Sequence, residues 1–275
     1  MKLAVTGGHG DMGRVLIPYL VAQGHAVVSI DRAMPATFTA GVEPFVADVR
    51  DFGEVVAALR GCDGVVHLAA HRSPLTNPDP VVYVDNTAGS YNVLSAAATL
   101  GIRRVCLASS INAIGGAFSR APRYDYFPLD EQHPTYAEDP YSLSKWVLEQ
   151  QADAFARRYE WLAIASLRFH GLVPEPRRAE QWPAPVMVRH LWAYTLLPEA
   201  ARACLLSLTA EFSGHEVFYI VAPQTAAARP SLELAREHYP HTAIRGELAG
   251  HTGFFDCRKA ERILGWKHES VSSIQ

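Results

Sequence analysis

The fold is decided by the stretch Lys2-Leu3-Ala4-Val5-Thr6-Gly7-Gly8-His9-Gly10-Asp11-Met12-Gly13, close to the start of a 275-residue chain. Residues 2–6 form a short apolar run that favours a buried strand, and residues 11–23 carry apolar side chains at helical spacing. The glycines between them follow the pattern G-x-x-G-x-x-G. Such a turn lets backbone N–H groups approach a pyrophosphate, and the helix N-terminus adds favourable partial charge. The stretch predicts a phosphate-binding loop; the alternative is a glycine-rich surface turn.

The alternation of strands and helices continues through the first half of the chain. Further strands are predicted at 26–30, 42–46, 65–68, 104–108 and 162–167, and helices at 52–59, 81–100 and 141–159. Apolar strands that alternate with helices are typical of a parallel sheet covered on both faces. Because strand–helix–strand crossovers are right-handed, we expect an α/β fold with a Rossmann-type, doubly wound parallel sheet.

The character of the sequence changes after about residue 170. Residues 174–185 contain four prolines and predict a loop over a cleft. A helix at 198–209, a strand at 216–221 and helices at 231–238 and 258–264 follow. We therefore expect a Rossmann domain over residues 1–170 that carries the catalytic residues, and a small mixed α/β substrate-binding cap over 171–275, part of which returns to the main sheet.

Composition excludes several classes of function. The chain is 49% apolar and 19% charged, with a net charge of −3, which is typical of a globular protein. It has no basic run for nucleic acid and no apolar stretch long enough to cross a membrane. The N-terminus lacks the apolar core of a signal peptide, so a cytoplasmic location is expected. Four widely spaced cysteines and twelve histidines show no metal-binding spacing, and no metal site is expected.

Two carboxylates follow predicted strands where a nucleotide would lie. Asp31 comes 18 residues after Gly13, where a carboxylate accepts hydrogen bonds from an adenosine ribose. It would repel a 2′-phosphate, which favours NAD over NADP, whereas the adjacent Arg32 could hold that phosphate. Asp48, after the third strand, is the corresponding candidate for the adenine edge.

Three residues are candidates for catalysis: Tyr141, Lys145 and Ser110. Tyr141 and Lys145 are four residues apart at a predicted helix start, so both side chains lie on one face. An ammonium near a phenol, helped by a positive nicotinamide ring, would lower the tyrosine pKa and make it a proton acceptor. Ser110 ends the fifth strand, at the edge where such sheets bind ligands, and is preferred to Ser109 because strand side chains alternate.

Several motifs together are similar to those of a known family. They are the glycine stretch, Asp31, Asp48-Val49, His67-Leu68-Ala69-Ala70, Asn86-Thr87-Ala88-Gly89, Ser109-Ser110 and Tyr141-Ser142-Leu143-Ser144-Lys145. In this order they resemble the extended short-chain dehydrogenases/reductases, in the NAD-dependent epimerase/dehydratase branch. The resemblance spans nearly the whole chain and is strongest over residues 3–170.

The resemblance implies a role for each matching position. The cofactor NAD would be held by Gly7, Gly10, Asp11, Met12, Gly13, Asp31, Arg32, Asp48, Val49, Leu68, Ala69, Ala70, Asn86, Tyr141, Lys145 and Phe169. Asn86 would be structural, tying a helix to the sheet. Ser110, Tyr141 and Lys145 would be the catalytic triad. Residues 81–100 and 141–159 would form a four-helix bundle with a second subunit, giving a homodimer.

The resemblance also implies the reaction class. We expect hydride transfer at a sugar carbinol carbon with Tyr141 as general base. The segment 169–176 and the short cap look most like uronate dehydrogenases, which oxidise a free sugar acid at C1. On that reading Ser110, Asn112 and Tyr141 contact the substrate, and Arg177 or Arg178 binds its carboxylate. His71 and Arg72 follow the fourth strand, where they would either border the substrate or lie in a solvated loop. The alternatives are a nucleotide-sugar 4-epimerase or dehydratase, and a non-catalytic dinucleotide sensor of the same fold.

Overall fold

A computed structural model describes residues 1–34, 37, 39–176 and 180–269 of the chain. Its strands are β1 (Lys2–Thr6), β2 (Ala26–Asp31), β3 (Val42–Val46), β4 (Gly64–His67), β5 (Arg104–Ser110), β6 (Tyr126–Phe127), β7 (Ala163–Phe169), β8 (Leu172–Val173), β9 (Thr195–Leu196), β10 (Gly214–Ile220) and β11 (Ala243–Ile244). Seven of them form the central sheet, in the order β10-β7-β5-β4-β1-β2-β3, and all neighbours in this sheet are parallel.

The described helices lie mostly against the two faces of this sheet. They are α1 (Gly13–Ala22), α2 (Phe52–Leu59), α3 (Asp79–Leu100), α4 (Pro140–Arg158), α5 (Ala184–Arg189), α6 (Leu197–Thr209), α7 (Ser231–His238) and α8 (Arg258–Leu264), with a 3-10 turn at Ile111–Ile114. The sheet with helices on both faces confirms the predicted α/β Rossmann-type class.

Alternation along the strands divides the core between the two faces. On one face, Leu16 of α1, Leu208 of α6 and Leu264 of α8 pack with Leu3 and Val5 of β1. On the other face, the intervening residue Ala4 joins an apolar cluster with α2, α3 and α4. Successive side chains of a strand point to opposite faces, so a strand buried on both sides must be apolar throughout. This is why the interior of β1 and most of β4 and β7 are apolar in the sequence.

The C-terminal part of the chain contributes to the sheet as well as to the region above it. The strand predicted at 216–221 is β10, which pairs in parallel with β7 and becomes an edge strand of the main sheet. Phe254 and Phe255 instead belong to a third apolar cluster, with Ile111, Phe127 and Trp192. This cluster lies beyond the carboxyl ends of β5 and β10. The division into 1–170 and 171–275 remains a prediction.

The strand order creates a crevice at a defined place. The chain leaves β1 toward β2 on one side, whereas β4 lies on its other side, so the connections diverge at β1 and β4. In open α/β sheets, ligands bind at the carboxyl ends of the strands beside such a switch point. The glycine turn after β1, residues 68–70 after β4 and Ser110 at the end of β5 all lie at this edge. Within the described residues, no helix combines the length and the apolar character that a bilayer span needs.

Candidate active site

A cleft of about 730 Å³ opens at this edge of the sheet. It is lined by every described residue for which the sequence predicts a cofactor, catalytic or substrate role: Gly7, Gly10, Asp11, Met12, Gly13, Asp31, Arg32, Asp48, Val49, Leu68, Ala69, Ala70, His71, Asn86, Ser110, Asn112, Tyr141, Lys145 and Phe169. Arg177 and Arg178 lie outside the described residues. The individual roles of these residues stay predictions, but the fold brings the described ones into one cleft.

The glycine turn leaves room only for backbone at the base of the cleft. Gly7 has a φ of +70°, and a Cβ there would lie 2.8 Å from the backbone nitrogen of Ala69. A Cβ on Gly13 would overlap the carbonyl oxygen of Gly8. The Thr6 hydroxyl accepts hydrogen bonds from the N–H groups of Leu68 and Ala69, at 3.2 and 3.3 Å, and so joins the ends of β1 and β4. This cradle of glycine backbone at a helix N-terminus fits a pyrophosphate.

The ends of β2 and β3 each present a carboxylate to the cleft. The Asp31 carboxylate accepts hydrogen bonds from the backbone N–H groups of His9, at 2.9 Å, and Arg32, at 2.8 Å. A carboxylate has further lone pairs that can accept ribose hydroxyls. The Asp48 carboxylate is instead engaged by the guanidinium of Arg50, which lowers the Asp48 pKa. Arg50 lines the cleft but is missed by the sequence argument, although it lies only two residues beyond Asp48.

The first turn of α4 orients Tyr141 and Lys145. The Asp139 carboxylate caps the helix by accepting the Ser142 N–H at 2.9 Å. Both side chains point toward the end of β5, where Lys145 Nζ donates a hydrogen bond to the Ala108 carbonyl oxygen at 2.7 Å. Burial lowers the pKa of Lys145 to about 8, while the nearby charge of Glu149 raises it.

The sequence predicts a lowered pKa for Tyr141, but the protein's own groups raise it. Burial of the phenol raises the Tyr141 pKa, whereas a hydrogen bond with Ser110 and the charge of Arg72 lower it and the charge of Asp139 raises it. Lys145 Nζ lies 5.8 Å from the centre of the Tyr141 ring and donates a hydrogen bond to a backbone carbonyl. The phenol is therefore protonated at neutral pH in this structure.

The two serines at the end of β5 have different surroundings. The Ser109 hydroxyl donates to Glu149 Oε1 at 2.6 Å, inside a buried ion pair in which Arg168 Nη2 lies 2.7 Å from Glu149 Oε2. The Ser110 oxygen accepts the Asn112 N–H at 3.1 Å and is the hydroxyl that acts on the phenol of Tyr141. Both serines line the cleft. Because the Ser109 hydroxyl is engaged by Glu149, Ser110 stays the predicted serine for a ligand.

The remaining predicted positions are held by internal hydrogen bonds. The Asn86 amide accepts the His71 N–H at 2.8 Å and donates to the His71 carbonyl oxygen and to Ser144 Oγ. It thereby ties α3 to α4 and to the segment after β4. The Asn112 side-chain oxygen accepts the Ala117 N–H at 3.1 Å. The His71 ring bonds Asp85 at 3.0 Å.

Two buried histidines, His170 and His190, also line the cleft, and the role of His190 there is not predicted from the sequence. His170 follows Phe169 directly; its Nδ1 accepts the Gly171 N–H at 2.6 Å and its Nε2 bonds the His190 carbonyl oxygen at 2.9 Å. Burial lowers the His170 pKa and brings the His190 pKa to about 4. Both rings are neutral at physiological pH. His190 is brought to the cleft by the tertiary fold, so only the position of His170 beside Phe169 could have signalled this pair.

No group of three or more His, Cys, Asp or Glu side chains suited to a metal ion occurs in the part of the chain that the structure describes.

The low pKa of Lys145 makes a pH-dependent contribution to stability. Its pKa is about 8 in the folded protein against an ordinary value of 10.5, so the unfolded chain binds more protons between these values. The free energy of unfolding should therefore rise from about pH 8 to pH 10.5, by roughly 3 kcal/mol at most. Replacing the lysine by methionine removes this term. We predict that the stability of Lys145→Met relative to the wild type falls as the pH rises from 7 to 10.

Urea unfolding at pH 7, 8.5 and 10 checks this expectation. The exposed Lys267 provides a control, and the stability of Lys267→Met relative to the wild type should stay constant across the same range. A Lys145→Met difference that is equally flat would show that this amine carries no burial penalty.

Comparison with known proteins identifies the family. A family model described as "NAD dependent epimerase/dehydratase family" matches residues 3–187. The UDP-glucose 4-epimerase of Corynebacterium glutamicum is 26% identical over 317 aligned residues, covering 98% of this chain and 91% of that protein. The L-arabinose 1-dehydrogenase (NAD(P)(+)) of Haloferax volcanii is 38% identical over 179 residues, covering 62% of this chain and 67% of that protein.

A solved structure shows the same fold. The uronate dehydrogenase from Agrobacterium tumefaciens superposes with a TM-score of 0.71 at 23% identity, covering 98% of this chain and 84% of that one. Other curated relatives match over less of their length, and the chain spans 63% and 47% of two of them. The resemblance inferred from the motifs, and with it NAD as the cofactor of the family, is confirmed: the chain belongs to the NAD dependent epimerase/dehydratase family.

Proposed function

We propose that the protein is an NAD-dependent oxidoreductase that acts at a carbinol carbon of a small sugar or sugar acid not linked to a nucleotide. The observation that carries the proposal is the convergence of Ser110, Tyr141 and Lys145 at one end of the cleft whose other end holds the glycine turn and Asp31. A purely dinucleotide-binding protein has no need of a serine–tyrosine–lysine set at the reacting end.

The cofactor end of the cleft supports NAD rather than NADP. The Asp31 carboxylate is fixed by two backbone N–H groups at the place where the adenosine ribose would lie. A fixed negative charge there would repel a 2′-phosphate. Arg32 borders the same end, and in this proposal its exposed side chain lies beside the adenine. When bound, NAD accepts the hydride that leaves the carbinol carbon.

The residues of the chain would handle the proton. Tyr141, as phenolate, takes the proton of the substrate hydroxyl while the carbon–hydrogen electron pair leaves, so that a carbonyl forms. The Ser110 hydroxyl, which lowers the pKa of the phenol, would hold the substrate oxygen beside it. Because burial raises the Tyr141 pKa, activity should increase with pH above neutrality as the phenol ionises. Lys145, anchored on Ala108, places a cation beneath the same end of the cleft.

The relatives support oxidation or inversion of a sugar carbinol. The 38% identical protein of Haloferax volcanii is named L-arabinose 1-dehydrogenase (NAD(P)(+)), which agrees with a small free sugar. The second candidate is a nucleotide-sugar 4-epimerase, because the relative that matches nearly the whole chain carries that name. The two reactions share the first proton and hydride transfer and differ in whether the reduced cofactor leaves.

A homodimer through α3 and α4 is part of the same proposal, on the ground of the family resemblance. The two helices pack against each other, and α3 leaves Val84 and Tyr91 56% and 50% exposed. Apolar side chains on an outer helix face are suited to burial against a second copy. The cytoplasmic location also remains a proposal from the sequence.

Spectroscopy of the reduced cofactor separates the candidates. The protein is incubated with NAD or NADP and with L-arabinose, D-galactose, D-glucuronate, D-galacturonate, UDP-glucose or UDP-galactose. We predict accumulation of NADH with a free sugar or sugar acid, and higher kcat/KM with NAD than with NADP. Interconversion of the two UDP-sugars without net NADH would instead establish the epimerase, and no reaction with any sugar would reject both.

A pair of serine variants tests the catalytic assignment. We predict that Ser110→Ala lowers kcat by about 10²- to 10⁴-fold and leaves the Kd for NAD and the melting temperature close to wild type. Ser109→Ala should act mainly on stability, because it removes a donor to the buried Glu149. Steady-state kinetics, NAD titration and thermal unfolding are compared for both. Equal kcat losses in the two variants would contradict the assignment.

A further inference from the structure

An ion pair joins the two loops that flank the crevice. Arg72 follows β4, and its Nη1 bonds the carboxylate of Asp11, which belongs to the glycine turn after β1. Both residues line the cleft. The pair is exposed, with 80% of the Arg72 side chain and 65% of the Asp11 side chain accessible. Ion pairs of this exposure contribute about 0–1 kcal/mol, so Arg72 can leave Asp11 for a better partner at little cost.

The other described cations that line the cleft either have a bonding partner already or lie away from Tyr141. Lys145 is buried and donates to the Ala108 carbonyl. Arg50 bonds Asp48 and also lies 3.3 Å from Asp85. Arg32 stands next to Asp31 at the end of β2, on the adenosine side of the switch point. Among the described residues, Arg72 is therefore the cation best able to receive a negatively charged ligand at the reacting end.

The charge of Arg72 reaches the reacting end. Arg72 lines the same cleft as Tyr141, and its charge lowers the pKa of Tyr141. Around Tyr141, Phe118 packs edge-on with ring centres 5.8 Å apart, His190 is uncharged, and the buried Lys145 is bound to the Ala108 carbonyl. A substrate whose hydroxyl meets Tyr141 would thus find one exposed guanidinium, that of Arg72, whose present partner is an exposed carboxylate.

Building on the function proposed above, we propose that Arg72 is a specificity-determining residue, which exchanges Asp11 for the carboxylate of a sugar acid whose hydroxyl lies at Tyr141. The planar guanidinium matches a carboxylate with two parallel hydrogen bonds, a stronger contact than the exposed pair it replaces. A phosphate offers the same recognition chemistry, so a sugar phosphate is the other source of such an anion. In either case Arg72 selects an acidic over a neutral sugar.

Paired substrates test this role. Values of kcat/KM are measured for D-galacturonate and D-galactose, for D-glucuronate and D-glucose, and for glucose 6-phosphate, with the wild type, Arg72→Gln and Arg72→Lys. Loss of the Arg72 charge changes the Tyr141 pKa equally for the acidic and the neutral sugar of a pair. The ratio of their kcat/KM values therefore reports only recognition of the acidic group. We predict that Arg72→Gln lowers this ratio about 10- to 100-fold, that Arg72→Lys lowers it less, and that the Kd for NAD stays within about twofold.

Arg258 provides the matched control. It is also an exposed arginine bonded to an aspartate, Asp256, but it is not among the residues that line the cleft. Arg258→Gln should leave the ratio unchanged.

The other outcomes distinguish a failure of this inference from a failure of the proposed function. An unchanged ratio in Arg72→Gln overturns the inference and leaves the proposed function intact, and a raised Kd for NAD in that variant would assign Arg72 to the cofactor. Arg72-dependent turnover of glucose 6-phosphate without turnover of either uronate would overturn the carboxylate in favour of a phosphate. If the wild type oxidises no sugar at all, the proposed function fails and the inference fails with it.

Discussion

The close approach of the glycine turn to the end of β4 is the constraint on which the rest of the structure depends. Thr6 bonds the backbone after β4, and Gly7 and Gly13 leave space for backbone where any side chain would clash. This contact brings β1 and β4 together at the point where the strand connections diverge, and the divergence opens the crevice. The cofactor cradle, Asp31 and the reacting end at Ser110 are arranged along that crevice as a consequence.

A buried network of charged side chains stabilises the end of the cleft where Ser110 and Tyr141 lie. Glu149 lies one turn beyond Lys145 on α4, accepts the Ser109 hydroxyl and pairs with Arg168 of β7. A buried pair of this kind is strongly destabilised when one partner is removed, so it fixes α4 against β5 and β7. Its carboxylate also raises the pKa of Lys145, against the larger effect of burial. The same residues therefore hold α4 in place and help to keep Lys145 charged.

Much of the fold could be predicted from the sequence because it depends on local patterns, and the family resemblance implied many of the positions around the cleft. Strand and helix periods, the spacing of the glycines and the four-residue interval from Tyr141 to Lys145 are properties of contiguous segments. The features that escaped prediction are those that form between distant segments. The attachment of Lys145 to Ala108, the pairing of Arg72 with Asp11 and the placement of His190 arise only in the folded chain. For the same reason the direction of the Tyr141 pKa shift could not be predicted, since it depends on burial.

The central claim is that the phenol of Tyr141 and the hydroxyl of Ser110 meet the substrate in the cleft that the glycine turn opens. A crystal structure of the protein with NAD and a sugar ligand tests this most directly. The account predicts that the dinucleotide runs from Asp31 across the glycine turn, and that the reacting sugar hydroxyl lies within hydrogen-bond distance of both Tyr141 Oη and Ser110 Oγ. A sugar bound away from these two oxygens, or a nicotinamide directed out of the cleft, would contradict it.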